Sequence, residues 1–154
     1  MLETKSKVKF IAKNNTEVIE KFINYIMKKG KKTVARNLLK ESFDIVADKT
    51  KKDPYKVFEQ ALENAKPSLE VRPRRIGGAV YQIPMEVKPY RQFQLASRWL
   101  LAGARSKKGS SFSKRLADEI LQAANNEGNA IKKKEDSHRM AQANKAFAHF
   151  ARFQ

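Results

Sequence analysis

A mainly α-helical single domain is the fold that this 154-residue sequence predicts, about six helices with one protruding two-stranded β-hairpin between the third and the fourth. Three observations predict it. Apolar residues recur at three- and four-residue spacing through most of the chain, the period of helices with one buried face. A single stretch, Val71 to Val87, breaks that period with β-branched and aromatic residues around Gly77-Gly78. No run approaches the roughly 18 apolar residues of a membrane-crossing helix, and the amino end lacks the apolar core of a secretory signal. The chain is therefore expected to fold in water, without export.

Taken in order, the chain begins with Lys5, Lys7, Lys9 and Lys13 against the single acid Glu3, which reads as a basic arm over residues 1–14 ahead of a helical domain over residues 15–154. Val18, Ile19, Phe22, Ile23, Ile26 and Met27 form the apolar face of a first helix, with Thr16 as its cap and Gly30 as its stop. A second runs from about Lys32 to Asp48, with Val34, Ala35, Leu38, Leu39, Phe43, Val46 and Ala47 on its buried side. Its charges are reversed. Lys31, Lys32 and Arg36 sit at the positive end of the helix dipole and Asp44 and Asp48 at the negative end, a placement costing about 0.3–1 kcal/mol per charge unless an anion sits at the amino end. Asp53-Pro54 starts a third helix as cap and first-turn proline, and Val57, Phe58, Ala61, Leu62 and Ala65 carry it to Pro67.

The hairpin follows. Gly77-Gly78 supplies the two positive-φ positions that a two-residue primed turn requires, so Arg75 is expected opposite Val80 and Arg74 opposite Tyr81. Pro73 and Pro84 confine both strands to edges. Neither face is cleanly apolar, and a ribbon that buries neither face while carrying Arg72, Arg74 and Arg75 suits an anionic ligand, although an isolated R-x-R-R also fits a solvated basic loop. Such a ribbon is marginal alone and needs helices at its base or a ligand at its tip.

Pro89 opens a longer fourth helix through Phe93, Ala96, Trp99, Leu100 and Ala104, in which Arg91, Arg98 and Arg105 fall seven residues apart and so form one stripe. No acid interrupts Lys88 to Lys114. Ser111 is the expected cap of a fifth helix holding Leu116, Ala117, Ile120, Leu121 and Ala124, which the Gly128 region ends. The last helix starts near Ala130, again with Lys132, Lys133 and Lys134 at its amino end, and continues through Arg139 and Lys145.

With 33 basic and 16 acidic residues the net charge is +17, which points to a polyanionic partner, nucleic acid ahead of an acidic membrane surface. Catalytic signatures are missing. The absence of cysteine excludes thiolate nucleophiles and cysteine-ligated metal centres. Gly30-Lys31-Lys32-Thr33 lacks the strand and glycine of a phosphate-binding loop, and His138 and His149 lack metal-ligand spacing. Glu135 and Asp136 point about 100° apart on a helix and serve local charge balance. A structural nucleic-acid binder without cofactor is the reading; a helical DNA-binding regulator and an RNA-modifying enzyme are its rivals.

Several segments together resemble the bacterial and organellar type of small-subunit ribosomal protein seven. They are G-K-K-T at Gly30 to Thr33, F-E-Q-A-L-E-N-A-K-P at Phe58 to Pro67, V-R-P-R-R-I-G-G-A-V-Y-Q-I-P-M-E-V at Val71 to Val87, R-W-L-L-A-G-A-R at Arg98 to Arg105, and K-K-K-E-D-S-H-R-M-A-Q-A-N-K-A-F-A-H-F at Lys132 to Phe150. The resemblance implies a small-subunit protein of a bacterial cytoplasm or an organelle (mitochondrion or plastid). It would bind the head domain of small-subunit rRNA early, nucleate head assembly, touch neighbouring head and platform proteins, and reach exit-site tRNA and the mRNA exit channel with its hairpin. By the same resemblance Lys31, Lys32, Arg36, Arg91, Arg98, Arg105, Lys132, Lys133, Lys134 and Arg139 would meet rRNA. Arg72, Arg74, Arg75, Gly77, Gly78, Tyr81 and Gln82 would act on the hairpin, where Tyr81 is open to ribbon packing as much as to base stacking. Against the resemblance, spaced lysines stand where an arginine-rich amino arm is common in the family, and the sequence given ends without the longer carboxyl tail of some members.

Overall fold

In the computed structural model residues 17–152 are described; the expected basic arm and the Thr16 cap lie outside them. The elements are α1 (Glu17–Ile26), α2 (Lys32–Thr50), α3 (Pro54–Ala65), β1 (Leu69–Ile76), β2 (Ala79–Glu86), α4 (Pro89–Ser106), α5 (Phe112–Ala124), α6 (Asn129–Ala143) and a 3-10 segment, η1 (Lys145–Arg152). The hairpin thus lies between the third and fourth helices, as expected.

Helix α5 is the centre of the core, packed against α2, α3 and α4 and burying Leu116, Ala117, Ile120 and Ala123 completely. Phe58 of α3 ties α1 and α2 to it, its ring centroid 4.8 Å from Phe22, edge on, and 5.3 Å from Phe43, both favourable aromatic spacings. The Asp53 side chain accepts the Tyr55 N–H at 3.0 Å, with Pro54 first in the helix. Ser111 makes no such bond. The first turn of α5 is anchored instead by Ser113, which donates to Glu41 Oε2 at 2.7 Å and accepts from the Ser42 hydroxyl through its carbonyl at 3.0 Å, so the polar tie runs to a neighbouring helix.

Both reversed dipoles meet carboxylates from earlier helices. Glu20 of α1 lies 3.3 Å from Lys32 and 3.2 Å from Arg36 at the start of α2. At the start of α6 the fully buried Glu119 of α5 accepts the Ala130 N–H at 3.0 Å through Oε1 and faces Lys107 Nζ at 3.0 Å through Oε2. An anion is therefore present at each amino end, supplied by the chain itself. The contact needs Gly103 on α4, because a Cβ there would come within 2.7 Å of the Glu119 carboxyl carbon.

The hairpin register has Arg75 opposite Val80 and Arg74 opposite Tyr81, around Gly77 and Gly78 at φ +58° and +86°. With a two-residue turn, Ile76 and Ala79 form the first hydrogen-bonded pair, and alternation leaves Pro73 and Pro84 at outward-facing positions of the two edges. Each proline removes an N–H that would invite another strand. The expectation that the ribbon buries neither face holds only toward its tip: Glu70, Ile83 and Pro84 are buried at the base, where α6 and η1 pack on the strands. The sixth helix also ends earlier than expected. It stops at Ala143, where Asn144 turns its side-chain amide onto Met140 O at 2.8 Å, and Lys145 belongs to η1.

Gly103→Ala is expected to lower the unfolding free energy by about 1–3 kcal/mol, because Glu119 is held on both oxygens and cannot swing clear of the added methyl. Urea unfolding beside Ala102→Ser, on the exposed side of α4, checks it; equal stabilities of the two variants would refute the close approach.

Candidate nucleic-acid interface

Helix α4 acts as a beam. Arg91, Arg98 and Arg105 share one side over about 21 Å at 1.5 Å per residue. At one end Arg91 Nε lies 3.4 Å from Glu70 Oε2 and its Nη1 donates to Gln94 Oε1 at 2.6 Å. Glu70, only 8% exposed, also takes Arg72 at 2.7 Å, so one carboxylate joins the stripe to the hairpin base. At the far end Arg105 donates to Ile26 O at 3.4 Å. Arg98, midway, is exposed and makes no ion pair among the described residues.

Beyond Arg105 the ends of α1 and α4 and the starts of α2 and α5 enclose a cleft of about 470 Å³, with Met27, Val34, Leu38 and Phe112 among its walls and Lys28, Lys31, Arg105 and Arg115 as its cations. No acid lines it. Lys31 is the exposed residue before α2. Lys28 and Arg115 were missed by the sequence reading. The run Lys28-Lys29-Gly30-Lys31-Lys32 offered a signal for the first; nothing in the amphipathic pattern of α5 offered one for the second. Arg115 is positioned by donating to the Lys107 carbonyl, with its guanidinium 5.8 Å from the Phe112 ring centroid.

Glu20 tempers this end. Burial opposes its ionisation, but the hydrogen bond from Lys32 and the charge of Arg36 outweigh that and hold its carboxyl below the usual value. Lys32 and Arg36 therefore share an internal counterion, whereas Lys31 makes no ion pair among the described residues.

On α6 the three lysines separate. Lys132 and Lys133 are exposed, while Lys134 is half-buried and donates to Asn64 O at 2.8 Å, a tie to the end of α3. Arg139 is exposed and bridges to Asp136 one turn back. Lys133 and Arg139 line a cleft with Glu70, Leu95 and Trp99, which brings α6 beside the start of the stripe. At the hairpin tip Arg75, Gly77, Gly78 and Gln82 are exposed and Arg74 is half-buried. Tyr81 packs within the protein, its ring centroid 5.2 Å from Phe147 and 5.6 Å from Phe150.

The ribbon is seated on α6 through Ser137 and His138. Ser137 Oγ donates to Leu69 O at 3.0 Å, and His138 Nε2 accepts the Ser68 N–H at 3.0 Å. Accepting through Nε2 requires a neutral ring. Burial and then the nearby Lys134 charge push the His138 value below its ordinary 6.5, in the same sense.

The family model for ribosomal protein S7p/S5e matches residues 2–145. The chain is similar to the small ribosomal subunit protein uS7 of Thermotoga maritima, 57% identical over 133 residues that cover 86% of each chain. It is similar to that of Chloroflexus aurantiacus, 51% identical over 141 residues, 92% of this chain and 90% of the relative. For that of a Thermoanaerobacter species the identity is 54% over 136 residues, 88% of this chain and 87% of the relative.

A histidine whose value is depressed by folding binds fewer protons folded than unfolded, so its contribution is present above the ordinary value of 6.5 and is lost as pH falls below it. In His138→Gln the side-chain carbonyl accepts from Ser68 without titrating. Between about pH 7 and about pH 5 the parent is expected to lose stability relative to this variant, by urea unfolding at each pH; a constant difference would show that His138 is not neutral in its seat.

Proposed function

The chain belongs to the ribosomal protein S7p/S5e family, and on that premise we propose that it is a primary binder of the head domain of small-subunit rRNA. It is a structural, non-enzymatic constituent of the small ribosomal subunit, with rRNA and ribosomal proteins as its partners in translation. The finer reading is that it binds the 3′ major domain early, nucleates head assembly, and extends its hairpin toward exit-site tRNA and the mRNA exit channel, beside neighbouring head and platform proteins.

One observation carries this reading: the arginine stripe of α4 runs from the hairpin base, where Glu70 pairs with Arg72 and Arg91, to the cleft between α1, α2 and α5, and no acid occurs in the sequence from Lys88 to Lys114. A rigid helix with forked cations at regular spacing can neutralise phosphates from more than one RNA helix and fix their relative orientation, which is recognition by charge and shape rather than by base sequence. Arg98 is its exposed centre. Lys31, Lys132, Lys133 and the cleft cations extend the footprint to either side. Lys32, Arg36 and Lys134 contribute charge while bound within the protein.

The hairpin has a separate task. Its tip presents the exposed Arg75, so it can touch a second RNA without being needed for docking. Tyr81, enclosed by Phe147 and Phe150, supports the ribbon rather than stacking on a base.

A head-domain rRNA fragment is expected to bind roughly a thousandfold more tightly than an unrelated structured RNA of equal length at physiological salt. Arg98→Ala with Arg105→Ala should weaken it and make log K less steep against log salt by about 0.7–0.9 for each phosphate no longer neutralised. Equal affinities for the two RNAs would reduce the function to generic polyanion binding. Arg74→Ala with Arg75→Ala should leave rRNA binding largely intact and perturb exit-site tRNA occupancy in assembled subunits; loss of most rRNA affinity in that variant would overturn the division of labour.

A further inference from the structure

We infer that η1 is a strut that fixes the angle of the hairpin to the helical body, with Tyr81, Phe147 and Phe150 as its positioning residues. No residue of η1 is buried, so the segment adds nothing to the core. It packs chiefly on β2 and little on α6, the helix it follows. A 3-10 run of eight residues is long for a geometry usually confined to one turn, and needs outside contacts to persist. Those contacts come from the ribbon.

Three residues per turn put Phe147 and Phe150 one above the other, and their rings stack at 18° with centroids 6.4 Å apart. Tyr81 leans on both. The next row, Ala148 and Ala151, faces Leu69, Pro84 and Met85 along the same ribbon. The direction of the segment is set at Asn144, whose backbone N–H and side-chain amide both bond Met140 O, at 3.1 and 2.8 Å.

The place of the contact gives it leverage. The seat on α6 grips Ser68 and Leu69, at the root of the ribbon, and at about 3.4 Å per residue the turn lies some 25 Å farther out. A small rotation about the seat alone would sweep Arg75 through several ångströms. Tyr81 pairs with Arg74, the third residue pair from the turn, so the aromatic contact holds the ribbon close to its tip. The strut stands without the RNA reading, and its failure would leave that reading untouched.

The sequence contains no cysteine, so Val80→Cys at the tip and Lys56→Cys on α3, both exposed positions, accept one spin label each. Pulsed electron resonance on the full chain without RNA is expected to give one narrow distance distribution. Phe147→Ala with Phe150→Ala should widen it roughly twofold with unchanged helical circular dichroism, as expected of a freed peripheral element. Tyr81→Ala should do the same, Tyr81→Phe should keep it narrow, and Arg75→Ala should leave it unchanged. Should the double variant lose helical content, Tyr81→Ala decides. A narrow distribution in Tyr81→Ala, or equal widening in Arg75→Ala, overturns the strut; retained width together with weakened RNA binding would assign the rings to base stacking instead.

Discussion

The placement of α6, and with it the hairpin, depends on one buried carboxylate. Glu119 has no solvent exposure, and a buried charge is tolerated only when it is paired and hydrogen-bonded. Lys107 supplies the charge and Ala130 the N–H, so the side chain joins the end of α4 to the start of α6 through α5. Gly103 gives it room. The start of α6 is thereby fixed on the core, and about two turns later Ser137 and His138 hold the root of the ribbon. A hairpin that would be marginal alone inherits its position from an ion pair in the body.

The same arrangement organises the surface charge. A net charge of +17 opposes folding by self-repulsion, and three acids relieve part of it. Glu20 serves the amino end of α2, Glu119 that of α6, and Glu70 both the base of the ribbon and the start of the arginine stripe. Each of these carboxylates lies between elements. The cations that remain outside, Lys31, Arg75, Arg98, Lys132 and Lys133, make no ion pair among the described residues, and polyanion binding needs such cations. On the proposed reading Arg91 and Arg105 serve both tasks, bonded within the fold and lying in the stripe.

Helix α4 carries its guanidinium groups on one side, while the ribbon, on which α6 and η1 pack, carries Arg75 exposed near its tip. On the proposed reading rigidity serves both, because orienting two RNA helices and presenting an arginine at a distance each depend on the protein not yielding.

Most of the architecture was legible in the sequence, because it rests on local periodicity and stereochemistry. Helix spacing located the six α-helices of the described residues, Asp53-Pro54 the start of α3, and Gly77-Gly78 the turn and register of the ribbon, since a two-residue primed turn leaves the strands one pairing. The stripe of Arg91, Arg98 and Arg105 was legible for the same reason, a seven-residue spacing being nearly two turns. Only the tertiary structure decided where the anions sit. Glu20 and Glu119 meet amino ends 12 and 11 residues farther along, at Lys32 and Ala130, and Ser113 replaces the expected Ser111 cap by reaching α2. Tyr81, Lys28 and Arg115 likewise acquire their surroundings from residues distant in the chain. Periodicity reports which side of an element is apolar, but a charge or a ring finds its partner through the packing of whole elements, and no local pattern encodes that.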